Sequence, residues 1–267
     1  MRALIKLVAL WCYVHVLARA RNAWRRRTGT CHVSVLLYHR VSDERLDSIT
    51  VTPKQFRRHL RLLSRRYDVI SMDRFLHARG MPRRRPAVVV TFDDGYRDNY
   101  DAAKCLYEAN IPCTFFVSTG IVGTSESFPL DVRLQRRMPV LSWDQIAEMS
   151  AWGFDIANHS VGHIDMGRTS VTESLCEIQQ ASRDLTARLC GVARDQWFAY
   201  PFGGRHHIKS ETRKRLKEIG IECCLSACGG VNGPDFDPYD IVRQGVNHSF
   251  SDLAFLAVVE GYRVRCE

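Results

Sequence analysis

No acidic side chain occurs in the first 27 residues, which hold Arg2, Lys6, Arg19, Arg21, Arg25, Arg26 and Arg27. These seven cations account for most of the net charge of +9, so the rest of the chain is close to balanced. A nucleic-acid-binding body would carry its own basic face, and no finger-type Cys/His array is present either, so nucleic acid is not expected as a partner. An apolar run long enough to cross a bilayer is also missing. Residues 4–18 fall short of the roughly 20 needed, and Lys6 and His15 interrupt them. The run lacks a small-residue cleavage site, and its arginines follow the apolar stretch, the reverse of a secretory signal. No fixed-period repeat and no Gly/Ser-rich or Pro-rich linker divides the 267 residues. There are ten cysteines, but no CxxC pair accompanies the cluster Cys223, Cys224 and Cys228, which argues against a four-ligand cysteine zinc site. Cys105, Cys113, Cys176 and Cys223 lie in apolar-patterned segments and read as small core residues.

What is present at the front is a basic amphipathic stretch. Residues 1–30 are expected to form an N-terminal helix lying on an anionic membrane surface, with Trp11 and Tyr13 at headgroup level and the arginines of residues 1–27 on lipid phosphates. The expected location is cytoplasmic, peripheral at the inner membrane, with reduced thiols. A signal anchor is the alternative, and a solvated tail is the bland one.

Beyond residue 30, apolar β-branched runs alternate with helical patterns. Strands are expected at 33–38, 68–70, 87–92, 113–117, 154–157, 197–200, 221–225 and 241–243. Helices are expected at 53–67, 73–79, 100–110, 143–152, 171–190, 209–219 and 251–260, the first opened by a Thr52 cap and Pro53. Residues 119–140 read as an irregular excursion. Repeated β-α units with continuous apolar strands imply an α/β fold, a closed or nearly closed parallel (β/α) barrel whose chemistry lies at the carboxyl ends of the strands.

Three segments at such ends carry reactive groups. Thr91-Phe92-Asp93-Asp94-Gly95 sets two carboxylates side by side, where each raises the other's pKa unless a cation relieves them. The alternative is a plain Asp-Gly turn. Asn158-His159-Ser160-Val161-Gly162-His163 offers two imidazoles four residues apart, able to share one metal. One Asp and two His leave coordination positions open for water, as in a catalytic site, and a second Asp kept off the metal can take a proton. Phe198-Ala199-Tyr200-Pro201-Phe202-Gly203-Gly204 shapes a tight loop whose N–H groups can face an oxyanion, or an ordinary strand-to-helix connection.

In order and spacing, these three motifs over residues 32–245 resemble the NodB-type polysaccharide deacetylases of carbohydrate esterase family 4. The resemblance implies a distorted (β/α)7-type barrel over 31–267 and metal-dependent hydrolysis of an N-acyl, chiefly N-acetyl, group on an amino sugar of a polysaccharide or glycolipid. It implies one divalent ion, Zn2+ before Co2+, Ni2+ or Fe2+, held by Asp94, His159 and His163. Asp93 becomes the base, and Tyr200, Pro201, Phe202 and Gly203 the substrate and oxyanion loop, through the Phe202 N–H. Two features depart from the family. Its third motif opens with an Arg that orients the catalytic Asp, and here that place is Ala199; Arg243, at a later strand end, is the candidate replacement. Its late Leu-x-His motif is not evident. Leu36-Leu37-Tyr38-His39-Arg40-Val41 instead resembles the first strand of the permuted members, including poly-N-acetylglucosamine deacetylases, which makes His39 the expected acid and His248 its competitor. The rival functions are a deformylase or deacylase of a lipid-linked or nucleotide sugar, and a glycan-binding module without catalysis.

Overall fold

The computed structural model describes residues 2–44, 47–77 and 86–262; the end of the helix expected at 73–79 lies outside them. Helices α1 (Arg2–Cys12) and α2 (Ala18–Thr28) are joined by a π-helical turn at Tyr13–Leu17. Strand β1 (Val33–Tyr38) precedes a small paired sheet, β2 (Arg40–Val41) and β3 (Thr50–Val51), then α3 (Pro53–Arg66), β4 (Asp68–Val69) and α4 (Met72–His77). There follow β5 (Ala87–Phe92), α5 (Asp98–Glu108), β6 (Thr114–Val117), α6 (Pro129–Arg133), α7 (Trp143–Ala151), β7 (Asp155–Asn158) and α8 (Val171–Arg188). The last elements are β8 (Arg194–Ala199), α9 (Ser210–Arg215), β9 (Cys223–Ser226), β10 (Ile241–Gly245) and α10 (Asp252–Val259).

Seven strands close a parallel barrel in the order β1-β5-β6-β7-β8-β9-β10, with β10 pairing back to β1. The expected barrel is therefore the fold, and the first strand joins the two halves of the wall. It pairs with β5 from Val33↔Ala87 to Tyr38↔Phe92 on one edge and with β10 on the other. The wall is distorted beside β5. There β4 pairs only with Ala87 and Val88, and β6 only with Thr91 and Phe92, so two short strands share one edge.

Side chains alternate across the wall. Val35, Val89, Phe116, Ala157, Trp197, Leu225 and Ile241 fill the interior together with Met72, Phe75 and Leu76 of α4, which plugs the barrel. Leu36, Val88, Val90, Phe92, Phe115 and Ile156 face the helices. Continuing the inward parity past the strand ends brings Asp93 after Val89 and Thr91, and His159 after Ala157, to the top of the interior. Both α3 and α7 start on capping boxes, Thr52 with Gln55 and Ser142 with Gln145, so their first N–H groups are satisfied locally.

Several expectations need correction. The helix expected at 209–219 breaks after Arg215, and a 3-10 turn covers Lys217–Ile219. The excursion at 119–140 contains α6. Cys176 is exposed, whereas Cys113 and Cys223 are buried as expected; no disulfide links the nine described cysteines. The N-terminal segment is helical as expected and is not the solvated tail of the alternative reading. Leu10, Val14 and Ala18 are buried, and the first two join the main core beside Phe255, Leu256 and Val259 of α10. Spacing of four residues drifts around an ordinary 3.6-residue helix, and the wider π-turn absorbs that drift. Tyr13 does not face outward as expected: its hydroxyl donates to the Glu260 carbonyl at 3.0 Å, and its ring packs edge-on against Tyr262.

Candidate functional site

The turn after β5 and the turn after β7 are built to present side chains inward. Asp93 N–H donates to the Tyr38 carbonyl, which extends the β1–β5 ladder by one step and sets His39 beside Asp93 at the ends of adjacent strands. Asp94 then turns back with φ 77°. After β7, the Asn158 side chain holds the Ile178 carbonyl and the Ser182 hydroxyl while accepting from Ser160 N–H. The Ser160 hydroxyl accepts from His163 N–H, and the Glu177 carboxylate accepts from Val161 and Gly162 N–H. These bonds hold Ser160 and His163 at positive φ, 63° and 52°, and Phe202 after β8 sits at 62°. Four of the seven non-glycine residues with positive φ among the described residues thus line the same end of the barrel, where such strain is held by surrounding contacts.

Asp94, His159 and His163 converge there, all buried, each with one ligand atom within 4.8 Å of the others. The Asp94 Oδ1 lies 3.3 Å from His159 Nε2 and 3.2 Å from His163 Nε2. Opposite, His159 Nδ1 is 2.8 Å from the Ala199 carbonyl. A carbonyl only accepts, so Nδ1 carries the hydrogen and neutral His159 turns its Nε2 lone pair to the carboxylate. Asp94 Oδ1 is buried and makes no hydrogen bond of proper geometry. Two imidazole nitrogens and an orphaned carboxylate oxygen facing one point fit a divalent cation. Burial opposes ionisation of Asp94, yet the adjoining His159 and His163 imidazoles hold its carboxyl well below the usual range.

Asp93 lies beside this group and is held by another residue. Arg243, fully buried in β10, makes a two-pronged ion pair with it, Nη1 to Oδ1 and Nη2 to Oδ2, both at 2.6 Å. Its Nε donates to the Ser226 carbonyl. Burial would raise the Asp93 pKa, but the Arg243 charge outweighs it and keeps the carboxyl low. Ala199 therefore leaves no gap: the guanidinium comes from β10 instead, reaching past β1, the strand between β10 and β5.

A cavity of ≈130 Å³ opens over these groups. His39, Asp93, Asp94, His159, His163 and Arg243 line it, with Tyr200 and Phe202 on one side and Leu37, Ile49, Tyr96, Phe128 and Leu130 among the other walls. His39 is lowered in pKa by burial, and Asp94 and Asp93 partly offset that. His248 is not in the wall; its Nδ1 is 3.3 Å from the Ser48 carbonyl. Among the described residues the Phe202 N–H meets no protein acceptor. Pro201 and Gly203 stand behind the wall and set the loop: Gly203 N–H donates to the Pro201 carbonyl. A Cβ on Gly203 would come within 2.7 Å of Ala227.

Sequence reasoning did not single out the apolar side of the cavity. Phe128 and Leu130 come from the excursion at 119–140, and Ile49 from the loop before β3. Arg136 ties both in place, at 2.7 Å from Asp47 and 2.7 Å from Asp131, which in turn accepts from the Tyr96 hydroxyl. The available signal was position, since that excursion follows a barrel strand at the end where chemistry lies.

The sequence profile of the family described as "Polysaccharide deacetylase" matches residues 80–224. That span includes Asp93, Asp94, His159, His163 and Phe202 and leaves out His39 and Arg243. The polysaccharide deacetylase-type protein YxkH of Bacillus subtilis (strain 168) is 23% identical over 246 residues, 91% of this chain and 81% of its relative. Among solved structures, the Streptococcus pyogenes deacetylase PplD in complex with acetate superposes with a TM-score of 0.70 at 20% identity, covering 86% of this chain and 99% of that one. IcaB from Ammonifex degensii gives 0.68 at 21%, covering 88% and 98%. At such identities the likeness of the structures speaks for the fold.

Proposed function

The chain belongs to the polysaccharide deacetylase family, a family of carbon–nitrogen hydrolases, and from that membership we propose that it removes the N-acetyl group of an amino sugar in a glycan or glycolipid. The observation that carries the reading is the convergence of Asp94, His159 and His163 beside a second carboxylate, Asp93, which is held apart by Arg243. A binding module has no use for a spare base kept ionised in a buried site.

Asp94, His159 and His163 would hold one divalent ion, with Zn2+ the first choice for two imidazoles and a carboxylate. Such an ion supplies an acidified water, with a pKa near about 7, and a polarised carbonyl. The chain's own residues do the rest. Asp93 takes the proton of the attacking water as the new C–O bond forms at the amide carbon. Arg243 fixes both oxygens of Asp93 and keeps it ionised until then. The Phe202 N–H faces the oxyanion. His39 hands a proton to the nitrogen as the C–N bond breaks, leaving a free amine and acetate. The cavity wall supports His39 over His248 for this step. A cavity of ≈130 Å³ favours acetyl over long acyl groups. Phe202, which is exposed, borders the entry for the sugar, whereas Tyr200 is buried.

The test is a panel of N-acetylated glucosamine oligosaccharides and N-acetylated glycolipids incubated with the Zn2+-loaded chain, with free amine and acetate measured. Asp93→Asn is expected to keep its metal and lose roughly a hundredfold or more in turnover. Loss of metal in that variant would exchange the roles of Asp93 and Asp94. Metal binding without amine release from any substrate would favour the glycan-binding alternative.

A further inference from the structure

The N-terminal helices dock one face on the barrel and leave the other bare. Thirteen large hydrophobic side chains are exposed among the described residues, and seven of them fall between Ile5 and Trp24. Val8, Trp11, Val16 and Trp24 are each more than half exposed, on the same helices that bury Leu10, Val14 and Ala18. Such concentration marks an interaction surface more than chance exposure.

The charge on the same helices says what covers it. Arg19, Arg26 and Arg27 are exposed, and the first two also wall, with Arg65 and Arg66, a groove of ≈640 Å³ where the helices meet the barrel at Val14, Tyr67 and Glu260. Glu260 in the wall of that groove accepts from Arg21, Asn22 and Tyr67. Exposed Arg27 extends the positive edge, and no acid lies between residues 1 and 27. No described helix is long and apolar enough to cross a membrane.

We propose that this face docks on the surface of an anionic phospholipid bilayer. Trp11, Val16 and Trp24 enter the boundary of the acyl chains, and the arginines meet lipid phosphates, the division of labour of an interfacial helix. A nucleic acid would match the arginines but not the apolar stripe. A second copy of the chain, paired symmetrically, would set these arginine-bearing helices against each other. The docked inner face makes the barrel a rigid rider on the membrane, whichever sugar the site accepts.

The full chain is to be sedimented with vesicles of phosphatidylcholine alone and of phosphatidylcholine with phosphatidylglycerol. Binding to the anionic vesicles only is expected, weakening as salt is added. Trp11→Ser with Trp24→Ser, and separately Arg19→Glu with Arg27→Glu, should each weaken it by about tenfold or more. Thermal melting should be unchanged in both, since none of the four side chains is buried. Equal binding to neutral vesicles, or binding unmoved in both pairs, would overturn the proposal. So would an absence of vesicle binding alongside a dimer that the tryptophan changes abolish, which would assign the face to a second copy.

Discussion

The barrel interior is two regions with opposite physics. The part plugged by α4 is apolar, with Met72, Phe75 and Leu76 packed against Val33, Ala87 and Trp197. The carboxyl end buries Asp93, Asp94, His159, His163 and Arg243 within a few ångströms of one another. Both are excluded from water and both continue the same inward parity of the same strands. Burial in the first lowers free energy by removing apolar surface from water. Burial in the second costs free energy, which mutual pairing offsets in part. The plug thus serves stability, and the carboxyl end holds a set of charges that would scatter in a weaker frame.

Substitutions can test how separate the two regions are. His159→Ala should strip the metal and cut turnover on the order of a thousandfold or more; full metal stoichiometry in that variant would remove the triad from the site. Arg243→Gln should blur the division. It leaves the Asp93 charge buried and unpaired, at a cost of about 3–5 kcal/mol by denaturant titration. Because the Arg243 cation is what holds the Asp93 pKa down, its loss must raise that pKa, so the acid limb of the pH–rate profile should move to higher pH. An unmoved limb would mean that Arg243 only braces the strand. Phe75→Ala, in the plug, should cost about 3–5 kcal/mol of stability yet leave kcat per folded molecule unchanged. A matching fall in kcat would show that the plug tunes the site. His39→Ala should lower turnover by about a hundredfold with metal retained, and His248→Ala should do little. The reverse pattern would hand the acid to the loop after β10.

Much of the arrangement was legible in the chain because it is local. Apolar β-branched runs such as Ala87–Phe92 declare buried parallel strands, and Thr52-Pro53 declares a helix start. The pairs Asp93-Asp94 and His159/His163 sit immediately after such strands, so strand order alone puts them on one end of one barrel. Arg243 was legible only as an arginine at a strand end. Its contact with Asp93 spans 150 residues and depends on β10 closing onto β1. The apolar wall was illegible for a related reason: Ile49, Phe128 and Leu130 lie on short or irregular segments with no periodicity to read, and Arg136 bridges Asp47 and Asp131 beside them.

The N-terminal stretch shows the same boundary. Its basic, apolar, helical character is a property of composition over 27 residues, and the sequence determined it. Which face is bare is not local. Tyr13 has the amphipathic side chain of a headgroup residue, yet it turns inward because Glu260 and Tyr262, more than two hundred residues later, complete its contacts. Residue type, spacing and periodicity therefore determined the strands, the metal-ligand pairs and the amphipathic helix, since each depends on neighbours a few residues away. Barrel closure, the partner of Asp93, the cavity wall and the exposed side of the helix were decided by tertiary structure, because long-range contacts choose among orientations that the local chain leaves equal in energy.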